Sequence, residues 1–427
     1  MRAPLAVRSV RDVGRFAAGV WGGPPARPVE RAVSSIVGGV RRGGDEALLR
    51  YEARFGAARP AALRVTPSQV RAARSRVTRS ELAAVRAAAS RLRKAEASTM
   101  SLLRARTLQI GGATVRREFA ALRSVGCYVP GGAARYPSSA IMSIVPARVA
   151  GVPRIAVASP PGPDGEIDAL TLVAADMCGA TEIYRMGGAQ AIAALAHGTP
   201  TVRPVDKIVG PGGPYVTAAK LAVSPTVAID MAAGPTELGI VADSGADADH
   251  AALDLVSQAE HSPEARCFLA TDSARLARRV AQRAAEAASA TPRSGIVCKS
   301  LSRNAFVAVC PSLASALSLA DLLAPEHVQV MTRSPARDAA RIRSAGMVLL
   351  GDTPSAASDY ALGSNHILPT SRGARSRGPL SALDFVRLRV TARAPRSALR
   401  SAMPHIAALS AAEGLPAHAN AVRGRLR

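Results

Sequence analysis

The stretch VGCYVPGGAARYPSSAIMSIVPARVAGVPRIAVA, residues 125–158, decides the fold. It opens on the apolar run Val125–Val129, breaks at Pro130-Gly131-Gly132, carries a helical pattern, and closes on a second apolar run, Ile155–Ala158. Short apolar runs bounded by turn residues and separated by helix are the repeating unit of βαβ folds. The texture continues outward toward the C-terminus. Lys207–Val209, Leu238–Ala242, Cys267–Ala270, Ala305–Val309, Val328–Met331 and Met347–Leu350 are further candidate strands, with Ala-rich helical patterns between most of them. The alternation predicts an α/β fold with mostly parallel sheets, and two such sheets fit between residues 25 and 375.

Upstream, residues 29–56 and 66–97 carry helical spacing; in the second, Leu82, Val85, Ala89 and Leu92 form one apolar stripe. Residues 1–25 read as a small helical arm ended by Gly22-Gly23-Pro24-Pro25. The last 45 residues return to helix after the lead-in segment Leu380–Phe385.

The chain has 427 residues, long enough to bury a large core with no disulfide or metal staple. Five scattered cysteines without a CxxC pair exclude a disulfide scaffold and a Cys-rich zinc module. Aromatics are only 3%, which argues against a stacking-based single-strand nucleic-acid binder. No uninterrupted apolar run approaches the roughly 18 residues of a membrane span. The net charge of +24 comes almost wholly from arginine, because Lys94, Lys207, Lys220 and Lys299 are the only lysines. The arginines are spread along the chain, whereas a nucleic-acid footprint is clustered. The pattern fits a coding bias toward Arg and Ala and argues against a nucleic-acid partner. The Arg-rich N-terminus lacks the apolar core of a signal peptide, since Arg8, Arg11, Asp12 and Arg15 interrupt it. A cytoplasmic enzyme is the expectation.

No GxGxxG follows a candidate strand, so the usual dinucleotide fingerprint is missing. Three other glycine turns end candidate strands or open helices: Pro130-Gly131-Gly132, Met186-Gly187-Gly188 and Gly210-Pro211-Gly212-Gly213. Backbone N–H groups at such turns can approach a phosphate closely. Tight turns alone account for any one of them. Three in one block fit a ligand crevice.

A second constellation lies outside that block. Gln258 and His261 sit three apart in Leu253–His261, which reads as helix, so both point to one face. Asp359 and His366 lie in one loop region, and Glu413 and His418 near the C-terminus. Nitrogen and oxygen donors without sulfur suit zinc in an open site. Glu326-His327 adjoins the Val328–Met331 strand. Such a pair can divide acid–base work, imidazole being suited to alcohol deprotonation. Structural or surface roles account equally for any one histidine.

Together these segments resemble histidinol dehydrogenases. The resemblance is carried, in family order from residue 126 to 422, by GCYVPGGAARYPSSAIMSIVPARVAGV, GGAQAIAALAHGT, VDKIVGPGG, IDMAAGPTEL, SQAEHSPEA, LLAPEHVQV, DYALGSNHILPT and EGLPAHANAV. Weaker similarity in VRRGGDEALLRYEARFG extends it toward the N-terminus.

The resemblance implies NAD-linked oxidation of L-histidinol through L-histidinal to L-histidine, the last step of histidine biosynthesis, with one zinc per subunit holding the substrate. By motif, Gln258, His261, Asp359 and His418 match the zinc ligands. His327 matches the base, and Glu326 the group that activates water for the aldehyde step. Thr236, His327 and Glu413 fall at substrate contacts, as do the four metal ligands. Tyr128, Gln190 and Gly213 fall at cofactor contacts. His366 lies in the same motif without an assigned role. The family's homodimer brings a C-terminal segment to the partner's site.

The implied architecture is two Rossmann-like α/β domains lacking GxGxxG, with small helical terminal segments. A zinc/substrate domain, 26–127 and 237–378, is split around an NAD-binding domain at 128–236. An arm at 1–25 and a helical dimerisation segment at 379–427 complete it.

Four departures stand out. The family's GPGN is Gly210-Pro211-Gly212-Gly213 here, AGPSE is Ala233-Gly234-Pro235-Thr236-Glu237, an FHxxQ-like segment is replaced by Leu92–Ala97, and the chain is more basic. None removes a metal ligand or the base. They keep open a relative that oxidises another polar alcohol, such as a sulfonated diol. A non-catalytic polyanion binder on the same scaffold predicts lost site residues, and none is lost.

Overall fold

The computed structural model describes residues 5–21, 27–56, 59–131 and 135–427. The turns Gly22-Gly23-Pro24-Pro25 and Gly132 lie outside them.

The strands form two parallel sheets and one antiparallel sheet. A five-stranded parallel sheet runs in the order Glu182–Arg185, Arg154–Ser159, Ser124–Tyr128, Lys207–Val209, Ala228–Ile229. Its chain direction reverses sideways between Ser124–Tyr128 and Lys207–Val209, and the crevice beyond those two C-terminal ends is where open α/β sheets take ligands. A six-stranded parallel sheet runs Ala6–Ser9, Ala305–Val309, Arg266–Thr271, Glu237–Ala242, His327–Met331, Met347–Leu350. The α/β class and the eight candidate strands are all present. Among the described residues no helix is long and apolar enough to cross a membrane.

Packing corrects the expected grouping of 26–127 with 237–378. Helices Arg27–Phe55, Pro67–Arg74 and Arg79–Ser101 lie on the five-stranded sheet, not the six-stranded one. Val33, Ile36, Val40 and Leu48 share a core with Ile192 and Leu195, while Val85, Ala89 and Leu92 share another with Ile141, Ile155 and Phe385. Together with the crossover helices Pro137–Val149 and Ala169–Cys178 in one core and Gly188–His197 and Pro214–Val223 in the other, their apolar stripes cover both faces of that sheet, as a parallel sheet requires. The expected 66–97 helix is two helices. Thr78 and Glu81 form a capping box, with the Thr78 amide donating to the carboxylate at 2.9 Å, and this starts a new helix after Arg74.

Both terminal segments contain a strand that the sequence reading had placed in helix. Ala6–Ser9 adds to the edge of the six-stranded sheet before the Val13–Gly19 helix. Val386–Arg393 pairs antiparallel with Ala113–Ala121, which pairs with Arg106–Ile110 across Gly111-Gly112. Both glycines have positive φ, 56° and 79°, as a two-residue hairpin demands. In this sheet Leu108, Ile110, Phe119, Leu388 and Val390 are exposed, and the pairing register puts Leu388 opposite Phe119.

Candidate active site

The Gly210–Gly212 turn follows Lys207–Val209 at the crevice. Gly210 has φ 117°, and a Cβ there would lie 2.1 Å from the Tyr128 carbonyl oxygen, so only glycine fits. A buried ion pair grips its peptide from both sides. Lys220 Nζ donates to the Gly210 carbonyl at 3.0 Å, and the Gly210 amide donates to Asp230 Oδ2 at 2.8 Å. Neither residue is singled out by its local sequence, since a buried lysine has no local signature.

The Met186–Gly188 turn is held in the same way from beneath. The Gly188 amide donates to Tyr128 Oη at 3.1 Å. The Gly187 amide and Gln190 Nε2 each donate to Glu52 Oε1 at 2.9 Å. Tyr128 and Gln190 are therefore buried supports of the turn, and Gly213 is the exposed N-cap of the Pro214–Val223 helix. Glu52 was also missed by the sequence reading. Its Oε2 is buried without a partner, and burial outweighs the hydrogen bonds and raises its pKa to about 7.

The raised pKa has a measurable sign. Between about pH 4.5 and 7 the folded protein keeps a proton on Glu52 that the unfolded chain has lost, so stability falls as pH rises through that window. Glu52→Gln does not titrate and still accepts both hydrogen bonds. Its melting temperature is expected to match the native protein at pH 5 and to exceed it at pH 8, by up to about 3 kcal/mol in stability. An equal difference at both pH values would show that Glu52 is not protonated in the fold.

The polar constellation faces this crevice from the opposite ends of the other sheet's strands. Thr236 immediately precedes Glu237–Ala242, and Glu326 precedes His327–Met331, so the two neighbouring strands present their N-terminal ends. One cavity is lined by Gly210, Gly212 and Asp230 on one side and by Thr236, Glu326, His366 and Thr370 on the other.

A relay of side chains links the residues behind it. Gln258 Nε2 donates to Thr236 Oγ1, which donates to Glu326 Oε2; that oxygen also accepts the Glu237 amide at 2.8 Å. Burial raises the Glu326 pKa to about 8. His327 is buried, neither ring nitrogen has a hydrogen-bond partner, and burial lowers its pKa to about 4. It is thus a neutral imidazole with free nitrogens at ordinary pH.

Gln258 occupies the last turn of the Ala248–Ala259 helix, but His261 lies beyond that helix. The shared helix face expected for them is corrected to a last turn and the loop that leaves it, joined by the His261 amide donating to the Gln258 carbonyl at 3.3 Å. His261 is an exposed residue, yet desolvation by the surrounding protein lowers its pKa. Asp359, in the Ser355–Tyr360 helix, has its pKa raised to about 6 by burial. His366 Nδ1 lies 3.3 Å from the Asp359 carbonyl oxygen and 3.8 Å from its Oδ1. Its pKa falls to about 4, through burial first.

Glu413 and His418 are not brought to the cavity of their own chain. Both are exposed, at the junction and start of the helices Arg396–Ala412 and Pro416–Leu426, which pack on each other. Among the described residues no three His, Cys, Asp or Glu side chains converge at metal-binding spacing.

The arrangement matches known proteins over its whole length. The family model for histidinol dehydrogenase matches residues 25–426. The chain is 42% identical over 399 residues to the histidinol dehydrogenase of Methanothermobacter thermautotrophicus, covering 92% of this chain and 93% of that one. It is 44% identical over 402 residues to that of Bradyrhizobium diazoefficiens, covering 93% of both. The crystal structure of histidinol dehydrogenase from Elizabethkingia anophelis superposes with a TM-score of 0.93 at 30% identity, covering 100% of this chain and 98% of that one. With the motif residues of both sheets meeting at one cavity and the similarity spanning nearly every residue, this oxidoreductase belongs to the histidinol dehydrogenase family.

Proposed function

We propose that the protein oxidises L-histidinol to L-histidine in two NAD-linked steps at a zinc site. The observation that carries this reading is His327: a buried, neutral imidazole with two free nitrogens, next in sequence to Glu326, which lines one cavity with the Gly210 turn.

The donor set fits zinc. Gln258 spends its amide nitrogen on Thr236, which leaves its carbonyl oxygen for a cation. Asp359 is a carboxylate whose pKa burial raises, and His261 is an exposed residue whose pKa is lowered. Gln258, His261 and Asp359, completed by His418 of the partner subunit, would hold the ion with oxygen and nitrogen donors. Bound there, zinc would supply a Lewis-acidic anchor for the substrate's imidazole and amine. Of this set only His261 and Asp359 are histidine or acidic donors from one chain, so a cluster of three such side chains is not expected within a single subunit. The apolar face of the three-stranded sheet, with exposed Leu409 and Leu415 on the C-terminal helices, supports a homodimer.

The first oxidation removes the hydroxyl proton and a hydride. His327 takes the proton at a free ring nitrogen, and its neutrality leaves it ready to do so. Water then adds to the aldehyde. Glu326, in its carboxylate form, accepts the water proton, held in line by Thr236 and the Glu237 amide. The second hydride leaves the hydrated aldehyde as His327 again accepts a proton, and the product is a carboxylate. One NAD per oxidation would supply the hydride acceptor, held by its phosphates at the glycine turns of the 128–236 unit, and His327 returns its first proton to solvent before the second oxidation. All five cysteines are free thiols, which supports a cytoplasmic location.

Counting NADH by absorbance with limiting L-histidinol and excess NAD tests the reading. Two NADH per histidinol, with histidine as product, is the expected result. One would show that the aldehyde step fails at Glu326. None, with zinc bound, would overturn histidinol as substrate and favour another polar alcohol.

A further inference from the structure

Ser371 and Arg372 both adopt left-handed φ, 52° and 66°. Non-glycine residues rarely do so, and two in succession persist only where their surroundings fix them. They follow Thr370, which lines the active-site cavity. Thr370 Oγ1 accepts the Gly234 amide at 2.5 Å, two residues before Thr236.

Two ties hold this bend. The Ser371 amide donates to Glu237 Oε1 at 3.1 Å, and the same oxygen accepts Arg266 Nη1 at 3.1 Å. Arg372 Nη2 donates to the carbonyls of Ala17 and Val20, at 2.5 and 3.0 Å, where the Val13–Gly19 helix ends. Cationic donors at a helix C-terminus satisfy its orphan carbonyls and favour its dipole. Arg266 reaches the same arm, with its guanidinium 5.7 Å from the Trp21 ring centre. Trp21 packs in turn on Phe268 and Phe306 of the six-stranded sheet.

The geometry points to Arg372 as a positioning residue: it ties the N-terminal arm to the strained Thr370–Arg372 bend and, through Gly234 and Glu237, fixes Thr236 and Glu326 for the reaction. The arm is thereby part of the active-site support and not only an edge of the sheet. The inference rests on the reading of Thr236 and Glu326 as active-site groups.

Trp21 is the sole tryptophan, so its fluorescence reports the arm alone. L-histidinol added to the zinc-loaded protein is expected to shift Trp21 emission. Arg372→Met is expected to abolish that shift and lower kcat about tenfold to a hundredfold, with histidinol affinity by calorimetry nearly unchanged. Arg372→Gly relieves the left-handed φ while cutting the tie. It guards against misfolding of the first variant, and is expected to keep the melting temperature and lose the same kcat. Full kcat in either folded variant would overturn the inference.

If histidinol does not bind the native protein, the substrate reading falls by itself. Hydrogen exchange then decides the tie. The Ser371 and Gly234 amides should exchange at least about tenfold faster in Arg372→Gly than in the native protein, and unchanged protection would remove the tie.

Discussion

His327→Ala is expected to lower kcat by about 10²–10⁴-fold while leaving zinc content near that of the native protein. No neighbour can replace the imidazole. Glu326 Oε2 already accepts two hydrogen bonds, which aim that carboxyl at the water of the second step. His366 directs Nδ1 at Asp359. His327 is outside the ligand set, so the metal should stay. Its ring fills a buried position, and truncation costs some packing, but the loss of rate should far exceed any loss of folded protein. Single-turnover NADH formation together with metal analysis checks this. Full turnover by the variant would remove His327 as the base.

His418→Ala is expected to be inactive with reduced zinc, and mixing it with His327→Ala should restore turnover. Neither variant works alone. In a mixed dimer, one site takes His327 from one subunit and His418 from the other, both intact, while the second site carries both defects. Random re-pairing makes half the dimers mixed, so about a quarter of native activity should return. Separate chains refolded apart and then combined without subunit exchange should stay inactive. Failure to recover activity after demonstrated exchange would place His418 in its own subunit's site or outside the metal site altogether.

The expectations that held rest on short apolar runs punctuated by glycine. Those runs are buried on both faces, as at Val125–Cys127 and Leu238–Ala242, so their residues are apolar or small and the signal is continuous. Glu182–Arg185 was missed for the opposite reason. Its charged ends are buried against partners far away in sequence: Glu182 with Arg154 and Arg203, and Arg185 with Glu166. Val386–Arg393 does alternate Val, Leu and Val with polar residues, a period of two, but its helical flanks absorbed it. The motif residues of the two sheets were legible, and Thr236, Glu326 and His366 do line one cavity. Glu52, Lys220, Asp230 and Arg372 were not legible, because each acts on a backbone group supplied by another segment. The +24 charge offered nothing on chemistry, and a dispersed arginine surface is compatible with any fold.

The strand Ala6–Ser9 pairs with Ala305–Val309, about 300 residues downstream, and such distant pairings are the slowest to form. A chain emerging from the ribosome can complete the five-stranded sheet once Ala228–Ile229 has been made. Ala6–Ser9 has no strand to pair with until Ala305–Val309 has been made. Throughout that time Leu5 and Val10, which flank the strand and are buried in the fold, stay uncovered on the nascent chain, beside seven helices and five strands that have already found their partners. Ala6–Ser9 therefore waits longer for its partner than any other strand of the two parallel sheets, and it is the one a nascent-chain chaperone has longest to bind.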